Sequence, residues 1–236
     1  MKKLLLFVLS FVLLLTTSLS ASATEFKTPT GIPLSEIENR IDELVINYMH
    51  EFTPGLAVAV VHDGEVIFSR GYGYTSTNQQ IPIDPAATVF EYGSISKLFI
   101  WTAVMQLVEQ GLLDLDNDIH VYLSEESTRL FGFDKTFTMR DLLNHSAGFG
   151  EFSFNLYRNP ESDRGINPLR EELLAAQPKQ IYEPGTATAY SNFGSALAAY
   201  VVSYISDLEF SNYERTNIFN PLGTQNGKLK NFRSKI

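Results

Sequence analysis

A stretch with helical periodicity runs directly into one with strand periodicity, and that switch constrains the fold more than any other feature of the chain. Ile37, Ile41, Leu44, Val45, Tyr48 and Phe52 recur at helical spacing and give one apolar face. Ser35 followed by Glu38 predicts a capping box at the start of this helix, because each side chain can satisfy the other's orphan backbone donor. Pro54 ends it. Leu56 to Val61 is then a Val-rich run, Asp63-Gly64 is a turn dipeptide, and Glu65 to Tyr72 alternates well enough to return as the partner strand. The chain therefore opens with an amphipathic helix followed by a β-hairpin.

Beyond a polar, proline-bearing loop over residues 75 to 87, the pattern is helical. Ile95, Leu98, Phe99, Trp101, Thr102, Met105 and Val108 predict a largely buried helix from Ser94 to Gln110, with Gly111 suited to its exit. Thr138 with Asp141 predicts another short helix start. Further helices are expected over Pro168 to Ala176, Asn192 to Ile205 and Tyr213 to Phe219.

The N-terminus carries Lys2 and Lys3, an apolar run from Leu4 to Leu9 that resumes from Phe11 to Leu15, and then Ala21-Ser22-Ala23. This is the pattern of a cleaved secretory signal peptide over residues 1–23, shorter in its apolar part than the roughly 20 residues a bilayer span needs. The expected location is secreted or extracytoplasmic, at the cell envelope, with no transmembrane segment after cleavage. The 236 residues contain no cysteine, so disulfides, thiolate metal sites and a cysteine nucleophile are all excluded. An exported chain of this kind must be held by its apolar core alone. A formal net charge of −9 without a basic cluster argues against nucleic acid or anionic membrane surfaces as partners.

Ser94 and Lys97 stand three apart at the start of a predicted helix, which puts their side chains on one face about one turn from each other. A serine hydroxyl is a weak nucleophile until a neighbouring base takes its proton, and an amine can do so where burial and nearby charge favour its neutral form. A helix N-terminus also favours developing negative charge. A Ser-x-x-Lys match arises roughly once by chance in a chain of this length. The same spacing fits an N-cap serine beside a solvated lysine. Other hydrolase signatures are absent. Ser96 stands where a Gly-x-Ser-x-Gly elbow needs its second glycine, and His50, His62, His120 and His145 form no His-Glu-x-x-His arrangement. Each scattered histidine reads as a polar side chain with an ordinary partner. Gly71-Tyr72-Gly73 lacks the third glycine of a dinucleotide site and reads as the end of a strand.

Taken together, several blocks in order carry a family resemblance. They are Pro54-Gly55-Leu56-Ala57-Val58-Ala59-Val60, Gly71-Tyr72-Gly73, Phe90-Glu91-Tyr92-Gly93-Ser94-Ile95-Ser96-Lys97, Gln110-Gly111-Leu112-Leu113-Asp114-Leu115-Asp116, Met139-Arg140-Asp141-Leu142-Leu143-Asn144-His145-Ser146-Ala147-Gly148, Pro184-Gly185-Thr186, Tyr190-Ser191-Asn192-Phe193-Gly194 and Ile218-Phe219-Asn220-Pro221-Leu222-Gly223. The chain resembles the class C β-lactamase-like, penicillin-binding serine hydrolases up to about residue 225. The resemblance implies an α/β (α+β) fold of the β-lactamase/transpeptidase type. Its antiparallel sheet is flanked by helices and accompanied by an all-α lobe, and the C-terminal sheet strands are missing.

The domain it implies runs over residues 24–225, incomplete, with a non-family tail at 226–236. It also implies acyl transfer through Ser94, with Lys97 as activating partner, Tyr190 as proton relay and Asn192 as substrate-binding residue. Tyr157-Arg158-Asn159 also fits the Tyr-x-Asn pattern, but it runs straight into Pro160, whereas Tyr190-Ser191-Asn192 follows Pro184-Gly185-Thr186 and opens an apolar helix. D-alanyl peptides of peptidoglycan, β-lactams and small esters are the substrates implied, with no cofactor, metal or nucleic acid. The family's third motif, Lys or His followed by Thr or Ser and then Gly, has no match in the chain. That departure leaves open an inactive truncated fragment or a non-catalytic penicillin- or peptide-binding module.

Overall fold

The first helix, α1 (Leu34–Phe52), begins two residues earlier than the capping pattern predicts. Pro33 occupies the N-cap with no side-chain cap hydrogen bond, so Ser35 falls inside the first turn and the expected box with Glu38 is not what opens the helix. A proline there is compatible with the helix because its fixed φ suits the first turn and its missing N–H would be an orphan anyway. Glu38 pairs instead with Arg70, which also bonds Asp42, and the Tyr72 hydroxyl donates to Asp42 Oδ1 at 2.5 Å. This ionic cluster ties α1 to the second strand. The predicted apolar face is only partly covered: Val45 is buried and Ile37 and Ile41 are half-buried, but Leu44 and Tyr48 are exposed.

These contacts belong to the computed structural model, which describes residues 27–78, 80–91, 93–150 and 168–224. Residues 1–23, the tail at 226–236 and Tyr157-Arg158-Asn159 lie outside the described residues. The chain divides into two units, one ending at Phe90 and one beginning at Glu91.

In the first unit, strands β1 (Gly55–His62) and β2 (Glu65–Gly73) pair antiparallel. Asp63 at φ 49° and Gly64 at φ 80° both adopt left-handed backbone, the requirement of a two-residue type I′ hairpin turn. Val60 faces Phe68 while Val61 faces Val66, so Ile67 is the extra residue of a bulge. Leu56, Val58 and Val60 share a half-buried face with Phe68, and Ala57, Ala59 and Val61 look outward. Gly71 permits a close crossing, since a Cβ there would stand 2.1 Å from the Ile83 carbonyl oxygen. Among the described residues the sheet has these two strands.

The described elements of the second unit are helical, with isolated bridges between Asp118 and Thr138 and between Phe149 and Gln180. A 3-10 turn (Gly93–Ser96) leads into α2 (Lys97–Glu109), and α3 (Glu125–Phe131), α4 (Met139–Leu143), α5 (Leu169–Ala176), α6 (Asn192–Ser206) and α7 (Phe210–Glu214) follow. Gly111, at φ 71°, ends α2 as its spacing predicts. A π-helical turn (Arg215–Phe219) extends α7. Helix α6 is the centre: every residue from Phe193 to Val202 is buried except the half-buried Tyr200. Against it α2 presents Ile100, Ala103, Val104 and Leu107, and the small residues Gly194, Ala196, Ala198 and Ala199 of α6 leave room for them. Helix α2 is thus buried on one side only, and Ile95, Leu98 and Met105 are exposed. Its apolar residues surround the helix, so their pattern alone does not choose the inner face. Phe133, Phe137, Phe149 and Phe193 complete the core through edge contacts of 4.9–5.7 Å between ring centres.

The second capping pattern in the sequence forms as read. Thr138 Oγ1 accepts the Asp141 N–H at 3.2 Å, and the Asp141 carboxylate accepts the Thr138 N–H at 3.0 Å. Asp141 also accepts the Ser146 hydroxyl at 2.9 Å, fixing the chain that leaves α4. Thr138→Ala is expected to lower stability by about 1 kcal/mol in urea unfolding of the full chain. An unchanged midpoint would show that the box contributes nothing here.

Candidate active site

Gly93 enters the 3-10 turn with φ 51°, a conformation that suits a residue without Cβ. Ser94 therefore sits in a tight turn just ahead of α2 rather than in the α-helix itself, and Lys97 is the first residue of the helix proper. The Ser96 hydroxyl donates to the Gly93 carbonyl at 2.6 Å, which engages its proton within the turn.

Tyr190 and Asn192 reach the same place from the other end of the helical unit. Ser191 is the N-cap of α6, extended at φ −135°, and its side chain accepts the Gly194 N–H at 3.0 Å. This cap sets the chain direction, so that Tyr190 precedes the helix and Asn192 occupies its first position. Tyr190 Oη donates to Ser94 Oγ at 2.6 Å. Lys97 Nζ donates to Ser94 Oγ at 3.2 Å and to Asn192 Oδ1 at 2.7 Å. The ammonium also lies 4.9 Å from the centre of the Tyr190 ring, within cation–π range.

All four residues singled out in the sequence are thereby brought together. Ser94 Oγ receives hydrogen bonds from a phenol and an amine at once, an arrangement that stabilises negative charge developing on that oxygen. Both groups stand within the roughly 3 Å reach that direct proton transfer requires. With its carbonyl end held by Lys97, the Asn192 amide is oriented with NH2 as its donor end. The site is open to solvent: Ser94 is exposed and Tyr190 is 47% exposed. Among the described residues no group of three His, Cys, Asp or Glu side chains could hold a metal ion, and no helix is long and apolar enough to cross a membrane.

Such an arrangement around Ser94 can support nucleophilic attack by the serine, and in a comparison with known families the β-lactamase family matches residues 41–235. The chain belongs to the β-lactamase family. Its fold is the β-lactamase/transpeptidase-like one, and an octameric penicillin-binding protein homologue from Pyrococcus abyssi superposes with a TM-score of 0.68 at 24% identity, over 80% of this chain and 44% of that one. The D-amino acid amidase of Ochrobactrum anthropi SV3 gives a TM-score of 0.64 at 27% identity, over 79% of this chain and 50% of the amidase. PbpX of Bacillus subtilis (strain 168) is 26% identical over 196 residues, 82% of this chain and 46% of PbpX. The curated relatives matched are longer, this chain spanning 40% to 46% of their length.

One residue of the site escaped the sequence reading. His145, taken there as an ordinary polar side chain, lies against Tyr190 with ring centres 4.6 Å apart. Spacing offers no route to it, because 45 positions separate the two in the chain and nothing local marks the contact. The one available signal was its place in the Met139 to Gly148 block.

Proposed function

We propose that the chain is a serine acyl hydrolase or acyltransferase acting through an acyl-enzyme on Ser94. The observation that carries this reading is the convergence of Lys97 Nζ and Tyr190 Oη on one serine oxygen at 3.2 and 2.6 Å. In the reactive form one of the two partners is unprotonated, Lys97 as a neutral amine or Tyr190 as a phenolate, and that partner takes the Ser94 proton as Oγ attacks an amide, ester or β-lactam carbonyl carbon. The tetrahedral intermediate then collapses, the C–N or C–O bond breaks, and the same relay protonates the leaving nitrogen or oxygen. Water or another acceptor resolves the ester. Asn192 holds the substrate's amide side chain. The substrates are D-alanyl peptides, β-lactams or small esters, a class favoured by likeness to a D-amino acid amidase. The protein works outside the cytoplasm, on the strength of Lys2, Lys3, the apolar run and Ala21-Ser22-Ala23.

A second reading has the chain binding penicillin or peptide, or accepting an acyl group, without turnover. Fluorescent penicillin labelling run beside turnover of an activated ester separates the two. Stoichiometric labelling with continued turnover supports the first reading, and labelling with a single burst supports the second. No labelling with either a penicillin or a fluorophosphonate would overturn acylation of Ser94.

Lys97→Ala and Tyr190→Phe are each expected to lower the acylation rate by roughly 10²- to 10³-fold, the usual contribution of a positioned acid or base. Tyr157→Phe should stay near wild type. A larger loss at Tyr157 than at Tyr190 in the same stopped-flow comparison would reassign the Tyr-x-Asn motif.

A further inference from the structure

His145 holds three consecutive residues of the chain that delivers Tyr190 and Asn192. Its carbonyl oxygen accepts the Ala189 N–H at 2.7 Å. Its Nδ1 accepts the Ser191 N–H at 3.2 Å. Between these two bonds its ring lies against the ring of Tyr190, tilted by 38° at 4.6 Å between centres. Trp101, from α2, meets the other residue of this stack, His145, edge-on at 6.5 Å. Gripping one strand of chain with both carbonyl and imidazole requires an unusual backbone, and His145 has φ 55°, uncommon for a residue that carries a Cβ. Because Nδ1 accepts a hydrogen bond, the ring proton of the neutral imidazole sits on Nε2.

We propose that His145 is a positioning residue of the acylation site, setting the Tyr190 phenol at hydrogen-bond distance from Ser94 and the Asn192 amide against Lys97. The inference rests on the reading of Ser94 as the acylated residue. The Ser191 N–H bond fixes the residue that caps α6, and the ring contact fixes the plane of the phenol one residue earlier. Without them Tyr190 keeps its chemistry and loses its aim. Misplacement of a reacting group by about 1 Å can cost about 10²-fold in rate.

The test uses three variants of the full chain. His145→Ala removes ring and acceptor. His145→Asn tolerates left-handed backbone and returns an acceptor oxygen close to the position of Nδ1. His145→Phe returns a ring without an acceptor. Acylation by a fluorescent penicillin, followed as a function of its concentration, separates the rate constant of the chemical step from the preceding binding constant. His145→Ala should lower the chemical step by about 10- to 100-fold while binding changes by less than about threefold. His145→Asn should recover most of that loss, and His145→Phe less.

Amide hydrogen exchange at Ser191 supplies a readout that needs no acylation. Its protection should fall in His145→Ala and His145→Phe and return in His145→Asn. A wild-type chain that is not labelled, yet shows this exchange pattern, would remove the acylation reading and leave the clamp standing as a structural one. A chemical step within twofold of wild type in His145→Ala overturns the inference, as does a reduced labelled fraction reacting at an unchanged rate. Unchanged Ser191 exchange in all three variants overturns it as well.

Discussion

Ser94→Ala is expected to abolish covalent labelling by a fluorescent penicillin or a fluorophosphonate, with a loss of at least about 10³-fold, while Ser96→Ala labels within about threefold of wild type. The two serines are two positions apart and both lie in the 3-10 turn, Ser94 exposed and Ser96 half-buried. Their hydrogen bonds separate them. Ser94 Oγ is the acceptor of Lys97 Nζ and Tyr190 Oη, whereas the Ser96 hydroxyl spends its proton on the Gly93 carbonyl within the same turn. A nucleophile needs a base in reach and donors that stabilise charge appearing on its oxygen, and the first serine alone is shown with such partners. Mass spectrometry of the labelled peptide identifies the modified residue directly. Labelling that survives Ser94→Ala would sink the assignment.

The second large effect concerns stability. Glu214 is 1% exposed, at the end of α7, and none of the described residues offers its Oε1 a hydrogen bond. Burial pushes its carboxyl up to about 8, against 4.5 for the free side chain. Below about pH 4.5 the carboxyl is protonated in both folded and unfolded chains, and the group exerts no pH-dependent penalty. Between about pH 4.5 and 8 the unfolded chain releases the proton while the folded chain keeps it, so stability is lost as pH rises, and the loss levels off above about 8. The full effect is on the order of 3–5 kcal/mol. Urea unfolding at a series of pH values should show Glu214→Gln gaining on wild type from acidic to mildly alkaline solution, because glutamine does not titrate. A constant difference between the two proteins across that range would place the Glu214 carboxylate in contact with water or a cation.

How far the sequence anticipates this structure depends on whether a signal is local. The Asp63-Gly64 turn, the Thr138 box and the Gly111 exit are local, each decided within four residues by backbone geometry, and each forms. The Ser35–Glu38 pair has the same local form and loses to a distant competitor, since Arg70 takes the Glu38 carboxylate from across the hairpin. For α2, the apolar pattern names the helix but not its inner side, because the choice is made by α6, nearly 100 residues later. Among the site residues, Ser94 and Lys97 are legible as a spaced pair. Tyr190 and Asn192 are placed only by resemblance to other sequences. His145 is invisible for the same reason as the α2 face: its partners are far away in the chain, and a left-handed histidine leaves no mark on composition or periodicity.

The separation of Ser94 from Tyr190 by 96 positions has a consequence for the order in which the protein becomes reactive. Synthesis proceeds at about 5–20 residues per second, so the serine leaves the ribosome roughly 5–20 seconds before its relay exists. During that interval Ser94 lacks the phenol that donates to its oxygen in the folded protein. Tyr190 leads into α6 and meets Ser94 only with α6 seated against α2, so on the acyl-enzyme reading proposed above reactivity would follow closure of the helical unit and not emergence of the serine. Covalent label added to a translating or refolding sample would then count the molecules in which α6 has docked.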